Sequence, residues 1–385
     1  MRTIRIILIS MFFFLNSFLA AGCWNYREID QLAVVAGVAI DKGKNEKFTI
    51  TVEIVETTSG KEQQTKSKTV TIEGKTIFDA VRHEISLIGK RIYWSHAKVV
   101  IISKEIARDG ILEVIDWFNR DAETRSDIHI LVSKEKSARE ILNAKGPTEE
   151  VTSFLLDDVI TNERSVSNAP HIEVWRFTNS LAAKGVGTIA GAVDLKEENG
   201  QSRPHIMGTA IFKDDRLMGF IDGDETKYML FIQDEVKGGV LVEEINSNGG
   251  KVSAVTLEIF KSHTKVNPAI NDGKVEMKIE VEVSTAIDEL GSTINFIEDE
   301  GRMALEEMAE KSLKKNIEGI IKKVQTEYGV DIFGFGTKLK EEKNKEWKTI
   351  SGDWEENFKQ LKVNVETKIN IKNSAMLSKP LEIGD

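Results

Sequence analysis

One cysteine in 385 residues leaves no disulfide framework on which to build a fold, and no cysteine-rich metal site. Five prolines, with no Pro/Ser-rich tract, exclude a long extended stalk. After Leu19 no apolar run is long enough to cross a bilayer as a helix. Positive charge is in deficit. The chain has 52 Lys and Arg against 62 Asp and Glu, a net charge of −10, so nucleic acid is not expected as a partner, because phosphate binding needs a cationic surface. By the same count, strong adhesion to an anionic leaflet is expected only through a covalent lipid.

Catalytic signatures are also missing. The six histidines, His83, His96, His129, His171, His205 and His263, form no HExxH or short metal-ligand pattern. His96 reads as a packed or backbone-hydrogen-bonded imidazole, and His129 as a solvated or hydrogen-bonded one. Ser95 is not in GxSxG, and neither Gly185-Val186-Gly187 nor Gly334-Phe335-Gly336 belongs to a phosphate loop. Asp121 and Glu123 could serve as acid and base, and Glu173 lies near Trp175 as in some sugar sites. The plainer reading makes Arg120, Asp121, Glu123 and Arg125 a charged loop network between a helix and a strand. No catalytic residue, metal ligand or cofactor site is assigned, and enzyme activity is not expected.

What the chain does have is a telling start. Arg2 and Arg5 precede an apolar stretch over residues 6–19, and Ala20-Ala21-Gly22 puts small residues before the lone Cys23. This is the order of a lipoprotein signal, in which Cys23 becomes the acylated N-terminus. Leu19 stands four residues before the cysteine, where the usual signal has leucine three before it. A secretory signal cut near Ala21 and an uncleaved anchor are the alternatives; Asn16 and Ser17 interrupt the apolar stretch of the latter. Beyond the cysteine, Trp24 and Tyr26 suit a membrane interface, while Arg27 and Glu28 could meet polar groups of a membrane partner.

Periodicity predicts an α+β (mixed α/β) chain of three serial domains after a signal over 1–22, each a sheet packed with helices. In the first, 23–150, strands are expected at 32–40, 47–55, 66–72, 97–103 and 127–133, with helices at 76–88, 104–119 and 137–144. A smaller sheet domain, 151–240, contains a hairpin over 207–222 and a helix at 225–233. The third, 241–385, has strands at 251–262, 273–286 and 361–371 and a long helix, 301–328. Leu305, Met308, Ala309, Leu313, Ile317, Ile320, Ile321, Val324 and Tyr328 form that helix's apolar stripe, and Glu307 with Lys311, Glu310 with Lys314 and Glu318 with Lys322 are spaced for surface pairs.

Several blocks carry a family resemblance. CWNYREI (23–29) followed by LAVVAGVAIDKG (32–43) resembles the mature start of the C-subunit lipoproteins of bacterial spore germinant receptors. Residues 95–111, 118–134 and 208–226 resemble that family's internal blocks, and GVDIFGFG (329–336), followed by Trp347, Trp354 and Phe358, resembles its last. Asn25 stands where aspartate is common. The resemblance implies a three-domain lipoprotein on the outer face of the spore inner membrane. It would work with two multispanning membrane subunits to start germination, with no enzymatic activity of its own. Within that picture the bilayer is a partner through acylated Cys23, and Trp24, Tyr26, Arg27, Glu28, the 120–125 loop and the Phe333–Phe335 loop are candidate contacts. Direct nutrient capture, as by a solute-binding lipoprotein, stays open as the alternative.

Overall fold

The computed structural model describes residues 2–19, 31–57, 65–148, 150–183, 185–246, 252–272, 274–290, 296 and 298–373. Residues 2–19 form a helix, α1 (Arg2–Leu19), with Ile4, Ile6, Ile7 and Ile9 exposed. Among the described residues no helix is long and apolar enough to cross a membrane.

The strands of the described residues form two sheets, and the α+β class holds. In the first, β1 (Leu32–Lys42), β2 (Phe48–Thr57) and β3 (Thr65–Gly74) make an antiparallel meander. Helix α2 (Ile77–Ile88) follows, its N-terminus capped by the Thr76 side chain, which accepts from the Asp79 amide. Then come β4 (Arg91–Tyr93), β5 (Val99–Ser103), α3 (Lys104–Asp109), α4 (Leu112–Arg120) and β6 (His129–Ser133). VVIIS of β5 and HILVS of β6 are buried at every position, as parallel strands covered on both faces must be. The sheet runs β3-β2-β1-β5-β6-β7-β8-β9 with β4 beside β1, where β7 is Thr188–Glu198, β8 is Gln201–Lys213 and β9 is Arg216–Ile221. Helices α5 (Ala138–Asn143), α6 (Thr152–Asn162) and α7 (Val174–Ala182) lie between β6 and β7 in the chain.

This sheet continues across residue 150. Strand β6 pairs in parallel with β7, Leu131 opposite Gly191 and Val132 opposite Ala192. A Cβ on Gly191 would lie 2.8 Å from a Leu131 methyl, so the small residues of β7 let the two strands come together. The segment 151–240, expected to carry its own sheet, contributes three strands to the first one.

The second sheet is β10-β11-β12-β13, formed by β10 (Val240–Asn246), β11 (Val252–Asn271), β12 (Lys274–Leu290) and β13 (Lys362–Asn373), and preceded by α8 (Gly223–Ile232). Strands β12 and β13 are parallel; α9 (Asp299–Lys323), α10 (Phe335–Glu342), α11 (Asn344–Ile350) and α12 (Trp354–Lys359) lie between them in the chain. Of the expected stripe, Leu305, Ala309, Leu313, Ile317, Ile320, Ile321 and Val324 are buried, and Met308 and Tyr328 are half-buried. A wider turn over Val324–Tyr328 ends it, closed by Gly329 at φ 64°.

Candidate functional site

Cys23, Trp24, Tyr26, Arg27 and Glu28 lie outside the described residues. The chain enters the fold at β1, where Leu32 pairs with Arg91. Arg91 forms an ion pair with Glu123, and the Ser95 hydroxyl donates to the Glu123 carbonyl at 3.1 Å. The start of β1 and the 121–127 loop therefore share one end of the first sheet. Within that loop each charge has a neighbour of its own. Arg120 donates to Asp116 at 2.6 Å from a side chain 77% exposed, and Arg125 donates to both Asp127 oxygens at 2.8 and 2.5 Å. Asp121 accepts from the Glu123 amide at 2.8 Å. The Arg125 guanidinium holds the Asp127 carboxyl below the usual carboxylate range. The expected network is thus a set of local pairs, and Arg120 and Arg125 share no partner.

The histidines are dispersed among different carboxylates. Buried His129 sits 3.1 Å from Asp157, whose other oxygen meets Lys98 at 2.8 Å. Burial pushes the Asp157 carboxyl up, but hydrogen bonds from His129 and Lys98 outweigh it and hold it below its ordinary value. His205 pairs with Asp194 at 3.0 Å and His263 with Asp234 at 3.2 Å. Among the described residues no three His, Cys, Asp or Glu side chains gather as metal ligands.

A cleft of about 770 Å³ opens between α6, α7 and the end of α8, lined by His171, Glu173, Trp175, Arg176, Gln233 and Glu235 among others. Its polar groups face one another. The Trp175 indole donates to Glu173 at 2.5 Å, and Arg176 donates to the His171 carbonyl at 3.0 Å and to Glu235 at 2.5 Å. The cleft offers an aromatic face and paired charges, with Glu173 already engaged by Trp175.

Buried carboxylates in the described residues do structural work that the sequence reading missed. Asp41 of β1 accepts from the Ser137 hydroxyl and the Ala138 and Arg139 amides, capping α5. Glu53 of β2 accepts from the Thr152 and Ser153 amides at 2.9 and 2.8 Å, capping α6. Asp331 accepts from the amides of Phe333, Gly334, Phe335 and Gly336 and from the Trp354 indole. Full burial pushes it up to about 6 against those donors, so it is ionised at neutral pH. Phe333 and Phe335 are buried, and their loop packs on the core. An Asp just ahead of a Gly-rich turn was a legible cue for this cap; nothing in the local sequence marks Asp41 or Glu53.

The protein is a two-sheet α+β fold in which the charges of the 120–127 loop and of the cleft are largely engaged by their neighbours. Residues 25–195 match the family described as "Spore germination protein N-terminal domain", and residues 207–375 match "Spore germination B3/ GerAC like, C-terminal". Spore germination protein B3 of Bacillus subtilis (strain 168) is 26% identical over 377 residues, covering 96% of this chain and 98% of its own. Spore germination protein KC of the same organism is 22% identical, covering 98% of each. The crystal structure of the GerBC protein shares the fold, with a TM-score of 0.58 at 22% identity over 90% of this chain and 100% of that one. The chain belongs to the family of C subunits of bacterial spore germinant receptors.

Proposed function

We propose that this chain is a lipid-anchored, non-enzymatic subunit of a nutrient germinant receptor on the outer face of the spore inner membrane, acting with two multispanning membrane subunits. The observation that carries this reading is the pair of ordered family matches, 25–195 and 207–375, the first beginning just after the candidate acylation site Cys23. Clefts whose charged groups are already paired support a partner-binding role over catalysis. Trp24, Tyr26, Arg27 and Glu28 would meet the membrane or a membrane subunit, and the loop carrying Arg120, Asp121, Glu123 and Arg125 is a second contact, at the end where β1 begins. Removal of the signal, 1–22, would leave the mature chain from Cys23, in which the segments 23–150, 151–240 and 241–385 follow one another with the first sheet running across residue 150.

Mass spectrometry of the mature N-terminus tests the anchor: diacylglycerol on Cys23 is the expected result, and a free thiol there overturns it. Cys23→Ala should release the protein from the membrane and abolish nutrient-triggered germination. The 770 Å³ cleft, with Trp175 half-exposed, favours a second reading in which the subunit captures the nutrient itself. Saturable micromolar binding of a germinant in titration calorimetry would put that reading first.

A further inference from the structure

One face of α2 runs against the charge of the molecule. Lys75, Phe78, Arg82, His83, Leu87 and Lys90 are all exposed. Phe78, Asp79, Arg82, His83 and Leu87 lie within α2, and at 3.6 residues per turn they share one half of the helix with Phe78 at one border and Leu87 at the other; Lys75 and Lys90 flank that half from just outside the caps Thr76 and Gly89. Residues 75–90 contain two acids. Glu84 is on the buried side, and Asp79 accepts from the Lys75 amide at 3.0 Å and lies 3.8 Å from His83. Arg82 sits over the Phe78 ring at 4.6 Å. Phe78 is 46% and Leu87 65% exposed. Of the acids on the neighbouring α4 and its loop, Glu113 pairs with Lys47, Asp116 with Arg120 and Glu123 with Arg91, while Asp121 accepts from the Glu123 amide and lines the same hollow as Phe78 and Arg82. A chain of net charge −10 thus presents a cationic, partly apolar helix face.

Where the chain enters the fold bears on what covers that face. Leu32 pairs with Arg91, the residue after Lys90. Cys23 is nine residue steps before Leu32, a distance of at most about 30 Å when fully extended. Helix α2 has 12 residues and is about 18 Å long. A lipid on Cys23 therefore leaves the Lys90 end of α2 within about 30 Å of the bilayer, near enough for the helix to reach the headgroups. Attraction between exposed charges fades over about 8 Å at physiological salt, so the cations act on headgroups only once the helix lies against them.

We propose that the outer face of α2 rests on the anionic headgroup surface of the bilayer, with Lys75, Arg82 and Lys90 against lipid phosphates and Phe78 and Leu87 at the interfacial level. The proposal rests on the lipid-anchor reading above. Whole-chain charge pointed away from such adhesion, because an average over the chain hides one basic helix face.

Since Cys23 is the only native cysteine, a cysteine introduced elsewhere gives a single site for an environment-sensitive dye on the acylated chain. Leu87→Cys and Met303→Cys, the latter on α9 and equally exposed at 65%, are reconstituted as full chains in vesicles with brominated acyl chains. One set contains phosphatidylcholine and phosphatidylglycerol, the other phosphatidylcholine alone. Flotation first reports whether the chain is membrane-bound. In anionic vesicles the dye at 87 should be quenched several-fold more than the dye at 303. The difference should shrink in neutral vesicles and in an Arg82→Glu, Lys90→Glu background, while flotation persists. Equal quenching at both positions in floating anionic vesicles overturns the proposal and leaves the face to a protein partner. A chain that does not float overturns the anchor and the proposal together.

Discussion

Glu84 sits at zero exposure on the inner side of α2, and neither carboxyl oxygen has a hydrogen-bond partner among the described residues. Desolvation pushes its pKa from 4.5 up to about 8, which keeps it neutral in the folded state at pH 7. The unfolded chain releases this proton near pH 4.5, so between there and about 8 the folded state binds more protons, and stability from this position falls as pH rises. The penalty reaches about 3 kcal/mol at pH 7. Glu84→Leu should therefore raise the denaturant midpoint, by little at pH 4.5 and by progressively more up to pH 8. Glu84→Gln should remove the pH dependence while keeping the shape. A midpoint difference that does not vary with pH would mean that Glu84 is ionised in the folded protein. Sequence could not flag this residue, because EISLI continues an amphipathic pattern in which Glu84 could equally have faced outward. Asp41 and Glu53 were hidden for a different reason: the amides they cap lie in helices far along the chain, and only the folded sheet brings them together.

Elements with a single strong period were the most legible. The α9 stripe and the β8–β9 hairpin appear about where pattern and spacing placed them, because burial on one face overrides weak local preferences, whereas β11, expected over 251–262, runs on to Asn271 and pairs there with the start of β12. Breaks were not legible. The apolar pattern over 104–119 runs on without interruption, yet the helix divides at Gly110, φ 133°, where the Ile111 amide donates to the Asp215 carbonyl at 2.9 Å. A Cβ at Gly110 would lie 2.7 Å from Asp215, so the tertiary contact with the β8–β9 turn decides the break. Surface pairing on α9 was legible only in part. Glu307 pairs with Lys311 at 2.5 Å, but Glu310 turns to β13, meeting Lys368 at 2.9 Å and the Ile369 amide at 3.0 Å. Leu313 lies in the buried stripe of α9. Truncating it should cost about 2 to 5 kcal/mol by transfer and cavity terms, read as a lower guanidinium midpoint for Leu313→Ala. A change within about 0.5 kcal/mol is what a surface position would give, and would place the wrong face of α9 inward.

At the scale of the whole molecule the two sheets share one continuous apolar cluster, reaching from Val35 of β1 to Ile371 of β13. The seam between them is also hydrogen-bonded. The Gly187 amide donates to the Asp331 carbonyl at 2.7 Å, Gln233 to the Ile332 carbonyl at 2.7 Å, and the Tyr328 hydroxyl to the Phe220 carbonyl at 2.9 Å. A Cβ on Gly187 would lie 2.3 Å from a Val330 methyl, so the Val330 side chain packs where a side chain at 187 would stand. Serial strand and helix patterns could not reveal this joining, because pattern reports which face of an element is buried and not which element buries it. Asp331 is the keystone of the seam: its carbonyl holds β7 while its carboxylate holds the turn into α10 and Trp354. With one core and a bonded seam, the mature chain should unfold in a single transition, with β5 and β12 amides reaching the same exchange free energy. Asp331→Ala strands several buried N–H donors and should cost at least about 3 kcal/mol. It should also lower protection in β5 and β12 together, since both then exchange through the same global opening. Hydrogen exchange followed by mass spectrometry reads both strands at once. Separate transitions in the native chain, or an Asp331→Ala variant that loosens β12 while β5 keeps its protection, would show that the two sheets are not coupled through this seam.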